Sequence, residues 1–263
     1  MGLEVWQAKL SELKDQWRRF EPALSPDEIQ RAENMRRESV RRRYIIGRGL
    51  LRSLVAERIG LAPAAVRLIY NASGKPLLDP AQASETGRSV AFNLSHSGDR
   101  IAIALFFSQR EGRFSEVDAR IGVDLEWMAR RRDVEGLVRR FATERERAEF
   151  SRQPVDQQRI AFFRWWTRKE ALIKAVGTSL PRAIGKVEVS FGADRYTVAS
   201  FPGSEGEPPS LWRLATITLE DDYIMTVARP TLASQPGSAA MGASLEKVSL
   251  PHPDLPVTQI ARW

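Results

Sequence analysis

The order of predicted elements along this sequence occurs twice, and that repetition limits the folds open to the chain. Apolar residues recur at helical spacing from Ile45 to Ile59, ahead of apolar runs that are typical of strands. The same kinds of element return after the polar residues 108–119. Predicted strands lie at 66–70, 90–94 and 101–107, then a strand at 121–126, helices at about 133–150 and 157–176, and strands at 187–191, 212–219 and 223–228. Helices followed by strands in each half predict an α+β fold of two similar halves.

The predicted boundaries follow from the same pattern. We assign residues 1–115 to an N-terminal half and residues 116–230 to a C-terminal half. Ser25 before Pro26 is typical of a helix start, and Gly60 is typical of a helix end. Residues 231–263 are rich in Ala, Ser, Gly and Pro, which favours a flexible tail.

The composition excludes several classes of protein. The chain has no cysteine, which excludes disulfides, thiolate metal sites and a cysteine nucleophile and suits a reducing cytoplasm. Its longest clearly apolar run, Ile101 to Phe107, is far shorter than the roughly 20 residues of a membrane-spanning helix. The first residues lack the basic and apolar segments of a secretory signal. We therefore expect a cytoplasmic protein with no membrane partner, and we expect it to act as a monomer.

Positive charge is concentrated in one early segment. The chain has 40 Lys and Arg against 33 Asp and Glu, and nine arginines and three glutamates lie between Arg31 and Arg58. Such a surplus attracts an anion, and nucleic acid, an acidic protein surface and a phosphorylated small molecule would all qualify. A solvated helix face is the alternative without a ligand.

Two carboxylates lie two residues apart on a predicted strand. Residues at that spacing point to the same side of a strand, so Asp124 and Glu126 should lie together. Adjacent anions repel unless a cation lies between them, and Mg²⁺ takes carboxylate oxygen, water and substrate phosphate as ligands. The pair is therefore a candidate Mg²⁺ site, although Asp-x-Glu is also common in proteins that bind no metal.

A helical stripe in the second half carries an aromatic, an acidic and a basic side chain. Trp166, Glu170 and Lys174 follow one another at a spacing of four residues, so they share one helix face. The alternative is an ordinary salt bridge between Glu170 and Lys174 on a solvated surface. The spacing alone leaves both interpretations open.

Two further segments are suited to phosphate. Gly74-Lys75-Pro76 combines a glycine, which permits close backbone approach, with an ammonium group. Ser95 and His96 stand at the end of a predicted strand, where their side chains can hydrogen-bond a phosphate. A serine hydrolase is not indicated, because no acid partner or nucleophile elbow accompanies them.

Taken in order, these segments resemble the surfactin-synthetase-activator type of 4′-phosphopantetheinyl transferase. The resemblance covers residues 24–229 and rests on residues 74–76, 92–97, 121–126 and 166–174. It implies a pseudo-dimeric α+β fold of two similar halves, with coenzyme A in the cleft between them. It also implies an enzyme that uses Mg²⁺ to transfer the 4′-phosphopantetheine group of coenzyme A to a serine of an acyl or peptidyl carrier protein. Such carriers serve fatty-acid, polyketide or nonribosomal peptide synthesis.

The resemblance also implies roles for individual residues. The family's metal ligands fall on Asp124, Glu126 and Glu170, and Glu170 is also the expected general base. Lys174 falls on the lysine that contacts the pyrophosphate and assists the leaving group. The coenzyme A contacts fall on Arg31 and Arg43 near the 3′-phosphate, and on Gly74, Lys75, Pro76, Ser95, His96, Lys169 and Lys174.

The chain departs from the family's pattern at one position. Glu28 stands one helical turn before Arg31, where some members carry a second basic residue. Because the two lie three residues apart on a predicted helix, we expect Glu28 to face Arg31 and to weaken 3′-phosphate binding. Residues 141–146 also resemble a Phe-x-x-x-x-Glu stretch of the family, but no role is assigned to Glu146.

Two rival functions remain open to a test. A nucleic-acid-binding protein would use the segment from Arg31 to Arg58, but it leaves the carboxylates at 124, 126 and 170 unexplained. An idle coenzyme A-binding module should have lost those carboxylates, and all three are present. We therefore expect coenzyme A and a carrier protein as partners, and no nucleic acid.

Overall fold

The computed structural model describes residues 2–108, 120–179, 183–192, 194, 196–201, 210–230, 250–251 and 255–262. Its α-helices are α1 (Leu10–Leu13), α2 (Pro26–Glu33), α3 (Glu38–Ile59), α4 (Pro80–Thr86), α5 (Val134–Phe141), α6 (Glu144–Ser151) and α7 (Gln158–Val176). Its strands are β1 (Gly2–Lys9), β2 (Leu68–Tyr70), β3 (Pro76–Leu78), β4 (Ser89–Ser97), β5 (Arg100–Ser108), β6 (Gly122–Trp127), β7 (Tyr196–Phe201), β8 (Ser210–Leu219), β9 (Tyr223–Pro230), β10 (Leu250–Pro251) and β11 (Thr258–Arg262). None of the helices in these ranges has the length and apolar character needed to cross a membrane.

The chain divides into two units, each with helices and strands. The first unit is Met1–Leu94 with Asp99–Ala119 and Ala243–Trp263, and the second is Ser95–Gly98 with Arg120–Gly242. The prediction of a fold that mixes helices and strands is therefore confirmed. The predicted boundary at residues 115 and 116 lies outside the described residues.

The first unit is built on a five-stranded sheet in the order β10-β11-β1-β5-β4. Strands β1 and β5 are antiparallel along their whole length, from Gly2 opposite Phe107 to Lys9 opposite Arg100. Helix α3 contributes Leu50 and other fully buried residues to the same core, and each such leucine stabilises the fold by roughly 2 kcal/mol. The helix ends at Gly60, as predicted, where the positive φ of 76° suits glycine.

The second unit is built on a four-stranded sheet in the order β6-β9-β8-β7. The sequence predicts one helix over residues 133–150, but the structure has two. Thr143 and Glu146 form a capping box that starts α6. Helix α7 carries the buried aromatic side chains of the core, and Trp165 stacks on Phe191 with ring centroids 5.2 Å apart. Packing against β6 and β9 therefore fixes α7 in the middle of this unit.

The strand predictions are wrong in several places. The sequence prediction omits β1, β3 and β7, and it puts a strand at residues 187–191, where the structure has only an isolated bridge at residue 188. The amide of Val189 donates to Glu146 Oε1 at 2.9 Å, and the amide of Phe191 donates to Glu149 Oε1 at 2.8 Å. Carboxylates of α6 thus take the backbone groups that a neighbouring strand would bind.

The end of the chain belongs to the first unit's sheet. Strand β11 pairs with β1 in antiparallel register, with Val5 opposite Ala261. Val257, Ile260 and Ala261 are buried. The predicted flexible tail over residues 231–263 therefore does not include β11, because apolar side chains there cover the core. Most of the remaining tail lies outside the described residues.

Several arginines of the segment between Arg31 and Arg58 are paired with acids inside the first unit. Arg58 pairs with Glu4 at 2.5 Å, and Arg42 pairs with Glu38 at the same distance. Arg52 is almost fully buried and donates to two backbone carbonyls of the loop after α3. The local surplus of positive charge is thus partly used to hold the fold together.

Glu28 does not face Arg31 in the structure, so that expectation is wrong. Its side chain is 1% exposed and pairs with Arg52 at 2.5 Å, and it also accepts from the amide of Ser25 at 3.3 Å. Arg31 is exposed, and its guanidinium lies 5.9 Å from the centre of the Tyr44 ring. Glu28 is therefore a structural residue that caps α2 and neutralises Arg52.

We expect Glu28→Lys to destabilise the fold by about 3–5 kcal/mol, because it leaves Arg52 buried without its anion and adds a like charge. Denaturant unfolding followed by circular dichroism measures this loss. The matched control is Asp27→Lys, which makes the same charge change at an exposed position of the same helical turn. Equal effects of the two substitutions would contradict the structural role of Glu28.

Candidate active site

Helix α7 lies unusually close to strand β6 because β6 begins with a glycine. A Cβ atom on Gly122 would lie 1.9 Å from the carbonyl oxygen of Ala171 and 2.6 Å from the amide nitrogen of Ala175. Any side chain there would force the helix away from the strand. The close approach brings residues 124 and 126 of β6 beside residues 170 and 174 of α7. We call Asp124, Glu126, Glu170 and Lys174 the acidic site.

Asp124 is held between a lysine and a serine. Its Oδ1 atom accepts from Lys174 Nζ at 2.6 Å and from Ser95 Oγ at 3.1 Å, and Lys174 also contacts Ser95 at 3.0 Å. Burial raises the pKa of Asp124, and the charge of Lys174 opposes that rise. Its second oxygen, Oδ2, is buried with no hydrogen-bond partner among the described residues. Asp124 therefore has one acceptor oxygen in use and one available.

Glu126 is held in the same way by a different cation. Its Oε2 atom accepts from Ser97 Oγ at 3.0 Å, and its Oε1 atom accepts from Arg132 at 2.6 Å. Ser95 and Ser97 also accept from the amides of Leu125 and Trp127, at 3.2 and 3.0 Å. Alternate serines at the end of β4 thus match the alternate carboxylates of β6.

Glu170 is the carboxylate of the acidic site that has no direct partner. It is partly buried and makes no hydrogen bond or ion pair with any residue in the described part of the chain. Burial raises its pKa to about 7, the charges of Asp124 and Glu126 add to that rise, and Lys174 and Arg132 oppose it. Glu170 is therefore poised to exchange a proton near neutral pH.

Lys174 is the cation at the centre of the site. Burial lowers its pKa, but the charges of Asp124 and Glu170 outweigh that effect, so the pKa is raised overall. The lysine is thus charged at neutral pH. The spacing of Glu170 and Lys174 left open a surface salt bridge between them. In the structure Lys174 pairs with Asp124 instead.

The donor chemistry of the acidic site suits a hard cation, but the side chains are not yet arranged as a ligand set. Carboxylate oxygens are the ligands that Mg²⁺ prefers, and Asp124 Oδ2 is an unused one. No three His, Asp or Glu side chains within the described ranges form a group that could hold a metal. Lys174 occupies Asp124 Oδ1 and Arg132 occupies Glu126 Oε1. The residues fit Mg²⁺ in kind, and these ion pairs compete with it.

Lys169 lies elsewhere, and its predicted contact with coenzyme A is wrong for this structure. Its side chain is completely buried, with Nζ 2.7 Å from Glu146 and 2.8 Å from the carbonyl oxygen of Ile184. Its ammonium also lies 5.0 Å from the centre of the Trp165 ring. A lysine with no exposed surface cannot touch a ligand, so Lys169 and Glu146 form a structural pair that joins α7 to α6.

The remaining predicted ligand contacts are spread over both units. Gly74, Lys75 and Pro76 belong to the loop and second strand of the β2–β3 hairpin in the first unit, where Gly74 has a φ of 78°. Asn71 Oδ1 accepts from the amide of Lys75 at 2.9 Å and so fixes that loop. Arg31 is exposed on α2, Arg43 is partly buried on α3, and His96 is exposed on β4. Ser95 of this set contacts the acidic site, through Asp124 and Lys174.

Three residues of the site have no role in the sequence analysis. Ser97 and Gly122 lie inside the segments that carry the resemblance, and the alternation of Ser95 with Ser97 is the signal that could have indicated a pairing with Asp124 and Glu126. Arg132 lies in the loop between β6 and α5, where no periodic pattern predicts its contact with Glu126.

Comparison with family models gives two matches that together cover most of the chain. Residues 120–228 match the 4'-phosphopantetheinyl transferase superfamily. Residues 6–107 match the model described as 4'-phosphopantetheinyl transferase, N-terminal. The two matches correspond closely to the second and the first unit of the structure.

Curated proteins with similar sequences carry the same description. The 4'-phosphopantetheinyl transferase HetI of Nostoc sp. is 30% identical over 234 residues, which are 89% of this chain and 90% of that protein. The 4'-phosphopantetheinyl transferase psf-1 of Bacillus pumilus is 26% identical over 86% of this chain and 89% of that protein. The 4'-phosphopantetheinyl transferase AcpT of Escherichia coli is 35% identical over 53% of this chain and 60% of that protein.

Proposed function

This chain belongs to the 4'-phosphopantetheinyl transferase superfamily, and we propose that the acidic site is where it transfers the 4′-phosphopantetheine group from coenzyme A to a carrier serine. The observation that supports this most is the state of Glu170. It is a partly buried carboxylate with a pKa of about 7, beside a lysine that is charged at neutral pH. A base and a cation in one site suit the transfer of a phosphoryl group to a hydroxyl.

In the proposed reaction the carrier serine attacks the phosphorus that bears pantetheine. Glu170 takes the hydroxyl proton, directly or through a water molecule, as the new phosphorus–oxygen bond forms. The bond to 3′,5′-ADP breaks, and Lys174 stabilises the charge that develops on that leaving group. Ser95 and Asp124 orient Lys174 through the hydrogen bonds that they make with its ammonium.

We propose Mg²⁺ as the metal of this site, with Asp124, Glu126 and Glu170 as its ligands. Bound Mg²⁺ would supply charge neutralisation at the pyrophosphate of coenzyme A. The unused buried oxygen of Asp124 supports this assignment, and so does the repulsion from Asp124 and Glu126, which adds to the effect of burial in raising the pKa of Glu170.

Coenzyme A carries a pyrophosphate and a 3′-phosphate, and basic residues of the first unit are its proposed contacts. Arg31, Arg43 and Lys75 would meet these phosphates, with His96 on the same ligand. The pseudo-dimeric arrangement with a cleft for coenzyme A stays a prediction from the family resemblance. The nucleic-acid alternative receives no support from the family matches, and several of its arginines are engaged in ion pairs.

The test is mass spectrometry of apo carrier proteins after incubation with the full chain, coenzyme A and Mg²⁺. We expect a carrier to gain the mass of one phosphopantetheine, and the same carrier with its target serine replaced by alanine to gain none. Carriers from fatty-acid, polyketide and peptide synthesis are tested in parallel. If no carrier of the three types gains mass, the proposed function is refuted.

For Lys174 we expect Lys174→Met to lower turnover by about 10²-fold, because a charge that stabilises the leaving group is lost. The substitution also leaves Asp124 without its cation, so the melting temperature should fall. The double variant Asp124→Asn with Lys174→Met separates the two effects: it should recover stability without recovering turnover. If Lys174 serves only to neutralise Asp124, the double variant should turn over as fast as Asp124→Asn alone, whereas a further loss shows that Lys174 acts on the leaving group.

A further inference from the structure

The two carboxylates of β6 each form an ion pair with a cationic side chain, but the two cations lie in different elements. Lys174 sits within helix α7 and is bound by both Ser95 and Asp124. Arg132 lies in the loop that joins β6 to α5, and its side chain is 19% exposed. Arg132 can therefore reach solvent by rotation of its side chain alone.

The loop itself is fixed on both sides of Arg132. Arg159 donates to the carbonyl oxygens of Met128 and Arg130 in the first part of the loop. Asp133, the next residue, caps α5 by accepting from the amide of Gly136 at 2.9 Å. If Arg132 changes its ion-pair partner, its guanidinium therefore moves and the backbone of the loop does not.

Trp166 gives the guanidinium a second point of contact. The centre of the Arg132 guanidinium lies 5.6 Å from the centre of the Trp166 ring, and Trp166 lies one turn before Glu170 on α7. In a cation–π contact of this kind the ring attracts the guanidinium. The ring can keep holding Arg132 when its bond to Glu126 is broken.

A divalent cation and Arg132 compete for the carboxylate of Glu126. Glu126 Oε2 accepts from the Ser97 hydroxyl, which can rotate away, but Oε1 accepts from a guanidinium that never loses its proton. Two cations beside one carboxylate repel strongly at partly buried positions. Metal loading at Glu126 therefore competes with the Arg132 bond.

We propose that Arg132 is an exchangeable resident cation of the acidic site, which neutralises Glu126 until a divalent metal replaces it. Arg132 in this sense competes with the metal for the Glu126 carboxylate and so sets the affinity at which the metal enters. The inference rests on the proposed metal role of Glu126.

The test is Mn²⁺ binding to the purified full chain without coenzyme A, followed by the electron paramagnetic resonance signal of free Mn²⁺. Mn²⁺ is the probe because it takes the same carboxylate oxygen ligands as Mg²⁺. We expect Arg132→Gln to tighten Mn²⁺ binding by about tenfold, which corresponds to a competing ion pair worth about 1.4 kcal/mol. Arg132→Lys keeps the charge and should stay within about threefold of the unchanged chain.

The matched control is Arg131→Gln, which removes the same charge from the exposed neighbour of Arg132. It should leave Mn²⁺ affinity unchanged. An increase in affinity equal to that of Arg132→Gln would show that net charge alone causes the effect, and it would overturn the inference. Unchanged or weaker binding by Arg132→Gln would also overturn it.

Glu126→Gln distinguishes failure of this inference from failure of the proposed metal site. If Glu126→Gln weakens Mn²⁺ binding while Arg132→Gln does not strengthen it, the metal site stands and the exchange by Arg132 is refuted. If Glu126→Gln binds Mn²⁺ as the unchanged chain does, Glu126 is not a ligand and the inference falls with that assignment. Thermal melts of each variant, read by near-ultraviolet circular dichroism, confirm that the folded chain is being titrated.

Discussion

Asp124→Asn is expected to lower the rate of phosphopantetheine transfer by about 10³-fold while the chain stays folded. The amide keeps the shape of the side chain and can still accept from Lys174 and Ser95 through Oδ1. What it loses is the negative charge, which both the proposed metal and the ammonium of Lys174 need. Loss of one strong electrostatic contact to the reacting groups has costs of this order.

Two measurements check the Asp124 prediction. Turnover is measured with a carrier at saturating coenzyme A over a series of Mg²⁺ concentrations, and the melting temperature is measured in parallel. Asp156→Asn, at an exposed position of the same unit, is the control and should change neither quantity. Near-normal turnover of Asp124→Asn at low Mg²⁺ would contradict the metal role of Asp124.

The core of the acidic site could be predicted because two short-range periodicities carry it. A spacing of two on a strand puts Asp124 with Glu126, and a spacing of four on a helix puts Glu170 with Lys174. The structure brings the two pairs together through the close approach at Gly122. Periodicity specifies a face of one element, and it carries no information about which element lies opposite that face.

Two cations show where this limit matters. Arg168 and Lys169 stand beside Glu170 on α7, and a sequence gives both the character of surface residues. Both are buried: Lys169 pairs with Glu146, and Arg168 donates to the carbonyl oxygens of Ser190 and Gly192. Burial lowers the pKa of Arg168 to about 10. Their partners lie far away in the sequence, so no local pattern distinguishes them from ligand-binding cations.

Helices and strands could be predicted where residues of the element itself determine them. They could not be predicted where the element depends on residues distant in the sequence. Ser25 and Gly60 start and end their helices by local chemistry, and both predictions hold. Residues 187–191 have the alternating burial of a strand, but carboxylates of α6 bind their amides instead. Strand β11 depends on β1 at the other end of the chain, and the composition around it favours a tail.

The second large effect is expected at Glu170, where Glu170→Gln should lower turnover by about 10³-fold at pH 8 and by less as the pH falls and Glu170 of the unchanged chain takes up a proton. A positioned general base contributes roughly 10²–10⁴-fold, and the amide cannot take the serine proton. The unchanged chain should gain activity as the pH rises and Glu170 ionises. Because a nearby cation favours the charged carboxylate, the midpoint with Mg²⁺ present should lie below the pKa of about 7. Glu220→Gln, at an exposed turn, should leave the profile unchanged.

Glu170→Gln should lower turnover but raise the stability of the folded chain at pH 8. The pKa of Glu170 is raised from 4.5 to about 7 in the folded chain, so the folded state holds its proton more tightly than the unfolded state does. Its contribution to stability is therefore fully present below pH 4.5 and is lost as the pH rises through about 7, a change of about 3 kcal/mol. With divalent cations removed by a chelator, Glu170→Gln should melt at a higher temperature than the unchanged chain at pH 8. The difference should shrink towards pH 5, where the unchanged chain already carries the proton. An equal difference at both pH values would mean that Glu170 is not the group that titrates near neutral pH, and its role as the base would fail with it.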